Sequence, residues 1–208
     1  MRMNQKGVNM KEITIRNIKP EEVDQVASLI AAGYNDDVFF KWVVEKEEDR
    51  HKVVRDYYKT YLNAAGCVAH VAENISRKII GATVWLPHDV DESLYDDINA
   101  VVGTYANHFQ AVADKSHDNE PTERPFYQLV GFVVQKDMQG KGLGRQLLKY
   151  YLDELDQVGM PTYLEASTPY HGTGVYGKFG YQSFGQIMSF DDIVYLYPLY
   201  RPAKGGLE

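Results

Sequence analysis

Apolar and polar positions along this chain follow two different rhythms, and the change from one to the other marks its elements. Ile13-Thr14-Ile15-Arg16 alternates as a short strand does. Pro20 then opens a stretch in which Val23, Val26, Ala27, Ile30 and Ala31 recur at helical spacing. A second amphipathic helix is predicted over 45–63, with Val53, Val54, Tyr57, Tyr61 and Leu62 on its apolar side and Gly66 as its C-cap. Residues 67–73 and 78–86 are β-rich runs joined by Asn74-Ile75-Ser76-Arg77, which predicts an antiparallel hairpin. Beyond it the rhythm breaks. Residues 89–113 carry the spacing of one or two helices and 115–125 form a polar, Pro-containing loop. The whole stretch 87–125 is too long for a plain connection, so it is expected to be either an inserted helical lid or a mobile segment beside a site.

Residues 126–134 are apolar on both alternating faces, as in a central strand covered on both sides. Gly131 inside it weakens a strand unless a bulge or a closely approaching ligand backbone needs the space. Next come Gln139-Gly140-Lys141-Gly142-Leu143-Gly144-Arg145 and a helix to about residue 158, burying Leu143, Leu147, Leu148, Tyr151 and Leu155. A strand over 161–166, a short helix over 172–178 and closing strands over 181–189 and 193–200 complete the pattern. The expected class is α/β (α+β), in one domain over 12–202 preceded by a flexible segment over 1–11.

Composition narrows the chemistry. The chain has 208 residues, 44% hydrophobic and 25% charged, which is ordinary for a globular protein. Its one cysteine, Cys67, excludes internal disulfides and any CxxC zinc site. A net charge of −7 argues against wholesale binding to nucleic acid or to an anionic membrane. Residues 1–11 lack the apolar core of a signal peptide, and no uncharged apolar run approaches the ~18 residues of a membrane span, so a cytoplasmic location is expected.

The glycine loop is the strongest chemical signal. Three glycines at a strand-to-helix junction let main-chain N–H groups converge, and the helix N-terminus adds partial positive charge, which together make a pyrophosphate cradle. The plain alternative is a tight turn with no ligand. A P-loop would need lysine and a hydroxyl after its last glycine, but Gly144 is followed by Arg145-Gln146. A dinucleotide fingerprint would need glycine where Arg145 stands. Glu165, at about the spacing of a ribose-binding acid, is discounted because the loop lies late in the chain, behind a hairpin.

Gln139, Gly142 and Gly144, read as Gln-x-x-Gly-x-Gly, resemble the coenzyme A loop of the GNAT (GCN5-related N-acetyltransferase) superfamily. Val175-Tyr176-Gly177-Lys178-Phe179-Gly180-Tyr181 resembles that family's Leu-Tyr-Glu-Lys-Leu-Gly-Phe segment, and Tyr163-Leu164-Glu165-Ala166-Ser167 is similar to its fifth strand. The layout is most similar to puromycin N-acetyltransferase-type members. The resemblance implies a GNAT fold: a mixed, mostly antiparallel sheet of about 6–7 strands, splayed between the fourth and fifth, flanked by helices. It implies acetyl-CoA as co-substrate with no metal, and transfer of an acetyl group to a primary amine, expected on a small molecule, by direct attack in a ternary complex. Cofactor contacts are implied at Phe132, Val133 and Val134 along the fourth strand and at Gln139, Gly140, Lys141, Gly142, Leu143, Gly144 and Arg145 in the loop. Tyr176 is implied as the acid for the departing thiolate, a phenol being protonated at neutral pH. The N–H of Val133 or Val134 is the expected oxyanion donor.

Glu165 is the candidate base, against the alternative that it is a half-exposed or structural carboxylate. His108, His117 and His171 are rivals because histidine titrates near neutrality. No His/Asp/Glu cluster shows metal-ligand spacing. One departure concerns 168–175, where the family usually offers an Asn at the start of the short helix. None is present, and Ser167 or Thr173 is the expected substitute. Asp36, Asp37, Asp89, Asp91 and Glu92 are further carboxylates that could meet a cationic acceptor, and the expected quaternary state is a monomer or homodimer. Two other readings stay open: an acyl-CoA-binding module without turnover, and a protein lysine or N-terminal acetyltransferase.

Overall fold

The computed structural model describes residues 13–169 and 174–204. The expected flexible segment over 1–11 lies outside the described residues, as do His171, Thr173 and the first residues of the expected short helix. The chain runs β1 (Thr14–Asn17), α1 (Val23–Tyr34), α2 (Val38–Val43), α3 (Glu47–Asn63), β2 (Val68–Glu73), β3 (Ile79–Pro87), α4 (Ser93–Val102), α5 (Ala106–Asn119) and β4 (Tyr127–Val134). It continues with α6 (Leu143–Gln157), β5 (Thr162–Ala166), β6 (Gln182–Ser183), β7 (Met188–Phe190) and β8 (Val194–Arg201). These strands form an eight-stranded sheet in the order β1-β2-β3-β4-β5-β8-β6, with β7 paired to β8. The strand count exceeds the expected six or seven because the stretch read as one strand over 181–189 divides into two short ones.

Every strand pairing is antiparallel except β4 with β5, which run parallel. That pair holds register only at Tyr127–Thr162 and Gln128–Tyr163 before the strands part. A bulge lies just beyond. Gly131 faces Val84 and Leu129 faces Trp85, so Val130 is the extra residue. Gly131 also has a packing reason, since a Cβ there would stand 2.9 Å from the Tyr58 ring. The Tyr58 hydroxyl donates to the Val130 carbonyl at 2.8 Å and so satisfies a group the bulge turns away from β3.

Helices cover both faces of the sheet. Val26, Ala27 and Ile30 of α1 pack with Val54 and Tyr58 of α3 on Val71, Ala82, Val84 and Val133. On the other face Leu148, Tyr151, Leu152 and Leu155 of α6 meet Trp85, Leu129, Leu164 and Leu199. Within the stretch 87–125 stand two helices, α4 and α5, joined by a 3-10 turn over Gly103–Tyr105. Leu94, Ile98, Val102 and Phe109 bury against Val43, Val44 and Val53, which anchors α4 and α5 over the end of the sheet where β4 and β5 part.

The α2 helix, which the periodicity does not predict, is six residues long and apolar on nearly every side, so it carries no amphipathic signal. Asp37 starts it, accepting from the N–H groups of Phe39 and Phe40, a cap worth about 1 kcal/mol. Arg50 then fixes the corner, its guanidinium donating to the carbonyls of Asn35, Val44 and Glu45. Among the described residues no helix is long and apolar enough to cross a membrane.

Candidate active site

The parting of β4 and β5 opens a continuous cleft of about 1060 Å³ that runs from the glycine loop to the space beneath α4 and α5. Its loop end is made of main chain. Gly140 and Gly142 adopt φ of 73° and 87°, conformations that glycine takes without penalty, and a Cβ at either would meet nothing. Gln146 N–H to the Gly142 carbonyl is the first bond at the head of α6, so the N–H groups of Leu143, Gly144 and Arg145 have no acceptor within the helix. They sit at the positive end of a 15-residue helix dipole. This is a cradle for an anion. Gln139 Nε2 donates to the Val134 carbonyl at 2.9 Å and Lys141 Nζ to the Asp137 carbonyl at 2.7 Å, so both side chains brace the loop from within. Arg145, in the first turn of α6, brings positive charge to this end, and Lys178 adds a second to the cleft lining.

Between loop and bulge, β4 offers its free edge. The Phe132 N–H donates to the Tyr34 hydroxyl at 2.9 Å, and that hydroxyl donates back to the Phe132 carbonyl at 3.0 Å. Phe132 therefore turns its main-chain groups away from β3. By the alternation of an antiparallel ladder Val134 does the same, while those of Val133 turn toward β3. Of the two expected oxyanion donors, only Val134 directs its N–H outward. Gly33 allows this arrangement, because a Cβ there would lie 2.3 Å from the Val133 side chain and push α1, with Tyr34, off the strand.

Tyr176 lines the cleft from the 3-10 turn Tyr176–Phe179, its ring 6.2 Å from Phe132 and 5.8 Å from Tyr181. Burial pushes its phenol well above the ordinary value, so it stays protonated. The turn is held by Arg201, whose Nε donates to the Phe179 carbonyl at 2.8 Å and whose guanidinium pairs with Asp156.

Glu165 lies two residues beyond the last position of β5 that pairs with β4, level with the Val130 bulge on the far wall of the gap. Ser116 Oγ of α5 donates to one carboxylate oxygen at 2.9 Å and the Tyr163 hydroxyl to the other at 3.0 Å. Burial raises its pKa to about 7, against the lowering effect of these two donors, and Glu120 pushes the same way as burial. Tyr57, Tyr61, Tyr95, Phe109 and Glu120 complete this end. Tyr57 and Tyr61 share a hydrogen bond between hydroxyls.

Of the histidine rivals, His171 is outside the described residues and the other two lie elsewhere. His108 stacks on Trp42 at 4.5 Å and bonds the Val43 carbonyl, a contact that joins α5 to α2 outside the cleft. His117 is exposed on α5, away from the cleft lining. Ser167 donates to Asp37 Oδ2 at 2.8 Å. Asp37 thus holds the end of β5 as well as the start of α2. Tyr34, Tyr57, Tyr61, Tyr95, Ser116 and Glu120 belong to the site although no sequence pattern singled them out. The signal was present in α5, where Phe109, Val112, Ser116 and Glu120 follow one helical face that turns from apolar to polar. Among the described residues no group of three His, Cys, Asp or Glu side chains is placed to hold a metal ion.

Residues 123–197 match the family model described as an acetyltransferase (GNAT) domain. No curated protein sequence matches the chain. Solved structures do. One is a histone acetyltransferase HPA2 and related acetyltransferase from Corynebacterium glutamicum, 18% identical with a TM-score of 0.67, covering 94% of this chain and 99% of that one. Another is arylalkylamine N-acetyltransferase 2 from Aedes aegypti, 12% identical with a TM-score of 0.65, covering 91% and 98%. A third is an agmatine N-acetyltransferase, 13% identical with a TM-score of 0.62, covering 92% and 99%. The fold is therefore that of the GNAT acetyltransferases, and the family match falls on the segment that holds the glycine loop and both of the strands that part.

Proposed function

We propose that this chain is an acetyl-CoA-dependent N-acetyltransferase, laid out like the puromycin N-acetyltransferase-type members, whose 12–202 domain acetylates a primary amine on a small molecule. The observation that carries the reading is the single cleft that joins an amide-lined anion cradle to an enclosed pocket holding Glu165. The residues fit coenzyme A. Free N–H groups at Leu143, Gly144 and Arg145 suit its pyrophosphate, with Gly140 and Gly142 leaving room, and the outward groups of Phe132 and Val134 suit an extended pantetheine arm. When bound, acetyl-CoA supplies an acetyl thioester.

This chain's own groups do the rest. Glu165, with a pKa of about 7, is ionised in half of the molecules near neutrality and takes the proton that an amine must lose to attack. Val134, four residues along β4 from the level of Glu165 and so about 13 Å away by strand rise, gives its outward N–H to the arm rather than to the reacting carbonyl. Tyr176, held protonated by burial, donates its proton to the departing sulfur. The two inserted helices roof the acceptor end, which favours a small amine over a protein tail, and the arylalkylamine and agmatine enzymes are precedents on this fold.

Calorimetry with coenzyme A, followed by thiol release from acetyl-CoA with a panel of amines and lysine peptides, tests this. Binding plus amine-dependent release is expected. Binding without release on any acceptor would leave a coenzyme A-binding module, release with peptides alone a protein acetyltransferase, and no heat at millimolar coenzyme A would overturn the assignment.

A further inference from the structure

Charges of both signs line the cleft. Among the described residues its basic side chains are Arg145, in the first turn of α6, and Lys178, in the turn that carries Tyr176, whereas its acidic ones are Asp37, Glu120 and Glu165. Asp37 is committed, since its oxygens accept from Phe39, Phe40 and Ser167. Glu165 and Glu120 both line the cleft together with Tyr57, Tyr61 and Tyr95, and the charge of Glu120 helps to raise the pKa of Glu165. Neutral phenols offer π faces that attract an ammonium, and Ile98 and Phe109 supply apolar wall for methylene groups.

One carboxylate is enough to take the proton from the reacting nitrogen. A monoamine, once neutral, would bring no cation to the part of the cleft lined by Glu120 and Tyr95. Glu120 pairs with Arg124 at 3.0 Å, whose guanidinium lies over the Phe126 ring, and it also lines the cleft. We propose that the acceptor is an aliphatic diamine, with one amino group presented to Glu165 and the other, still an ammonium, held by Glu120 and Tyr95. This rests on the transferase reading above and adds the substrate class and two specificity-determining residues.

The test compares putrescine and cadaverine with butylamine and pentylamine on the native enzyme. The diamines are expected to exceed the matched monoamines in kcat/KM by ~10–100-fold, the worth of one charge-assisted contact. Glu120→Gln should bring that ratio close to one, mainly through KM for the diamine, and rising salt should lower the native ratio in the same direction. Coenzyme A affinity, measured in parallel, reports that the variant is folded. Equal kcat/KM for diamines and monoamines in the native enzyme overturns the inference and leaves the transferase standing. So does a Glu120→Gln ratio that matches native. No release with any amine, coenzyme A being bound, removes the transferase reading and the diamine with it.

Discussion

The two ends of the cleft are built from different material. The loop end consists of main-chain N–H groups at the head of α6 and along β4, aimed by glycine conformations and a helix dipole. The roofed end consists of side chains drawn from α3, α4, α5 and β5. A site made of backbone tolerates change at most of its positions, because the donors persist whatever side chains are attached. A site made of side chains changes with any one of them. On the proposed reading, an end built of backbone suits a constant ligand and an end built of side chains a variable one.

Four perturbations would sharpen or break this division. Glu165→Gln should lower kcat by ~10²–10⁴-fold with little change in coenzyme A affinity. In the native enzyme the rate should rise with pH through about 7 as the carboxylate loses its proton, and the variant should lose that limb. The same group has a stability signature of opposite sense. An acid whose folded pKa is raised from 4.5 to about 7 contributes stability below 4.5 that is lost as pH rises through 7, so at pH 8 the Gln variant should melt no lower than native.

Tyr176→Phe should cost ~10–100-fold in kcat, again without weakening coenzyme A, as read by stopped-time thiol assays. A loss of affinity equal to the loss of rate would instead make Tyr176 a packing residue. Gly142→Val, by straining φ of 87°, should weaken coenzyme A by ~10-fold in calorimetry and leave the acceptor KM within error. The smallest effect is expected at Tyr34, whose hydroxyl now holds the Phe132 groups that an added strand would use. Tyr34→Phe should tighten coenzyme A by ~2–10-fold, the value of the hydrogen bonds that no longer compete. Weaker binding would mean that Tyr34 supports the donor end rather than occupying it.

The same division governs what could be read from the sequence. The loop end was legible because its glycines, helix start and preceding strand are consecutive in the chain, and the parting of β4 from β5 followed from the likeness carried by 139–145 and 175–181. The roofed end was legible only at Glu165. Residues 57, 61, 95, 116, 120 and 165 come together through packing of α3, α4 and α5, and no local spacing encodes that convergence. Tyr57 and Tyr61, expected on the apolar side of the second helix, form cleft wall. Of the histidine candidates, His108 is taken up by Trp42 and the Val43 carbonyl, and His117 points away from the cleft.

The bond from Ser116 to Glu165 joins the inserted helices to the chemistry they cover. Grafting the roof of another enzyme onto this scaffold to redirect its substrate range would also remove a donor that favours the ionised carboxylate. Such a chimera would work best at a more alkaline pH than its parent, so that choice of acceptor and choice of working pH cannot be engineered independently in this molecule.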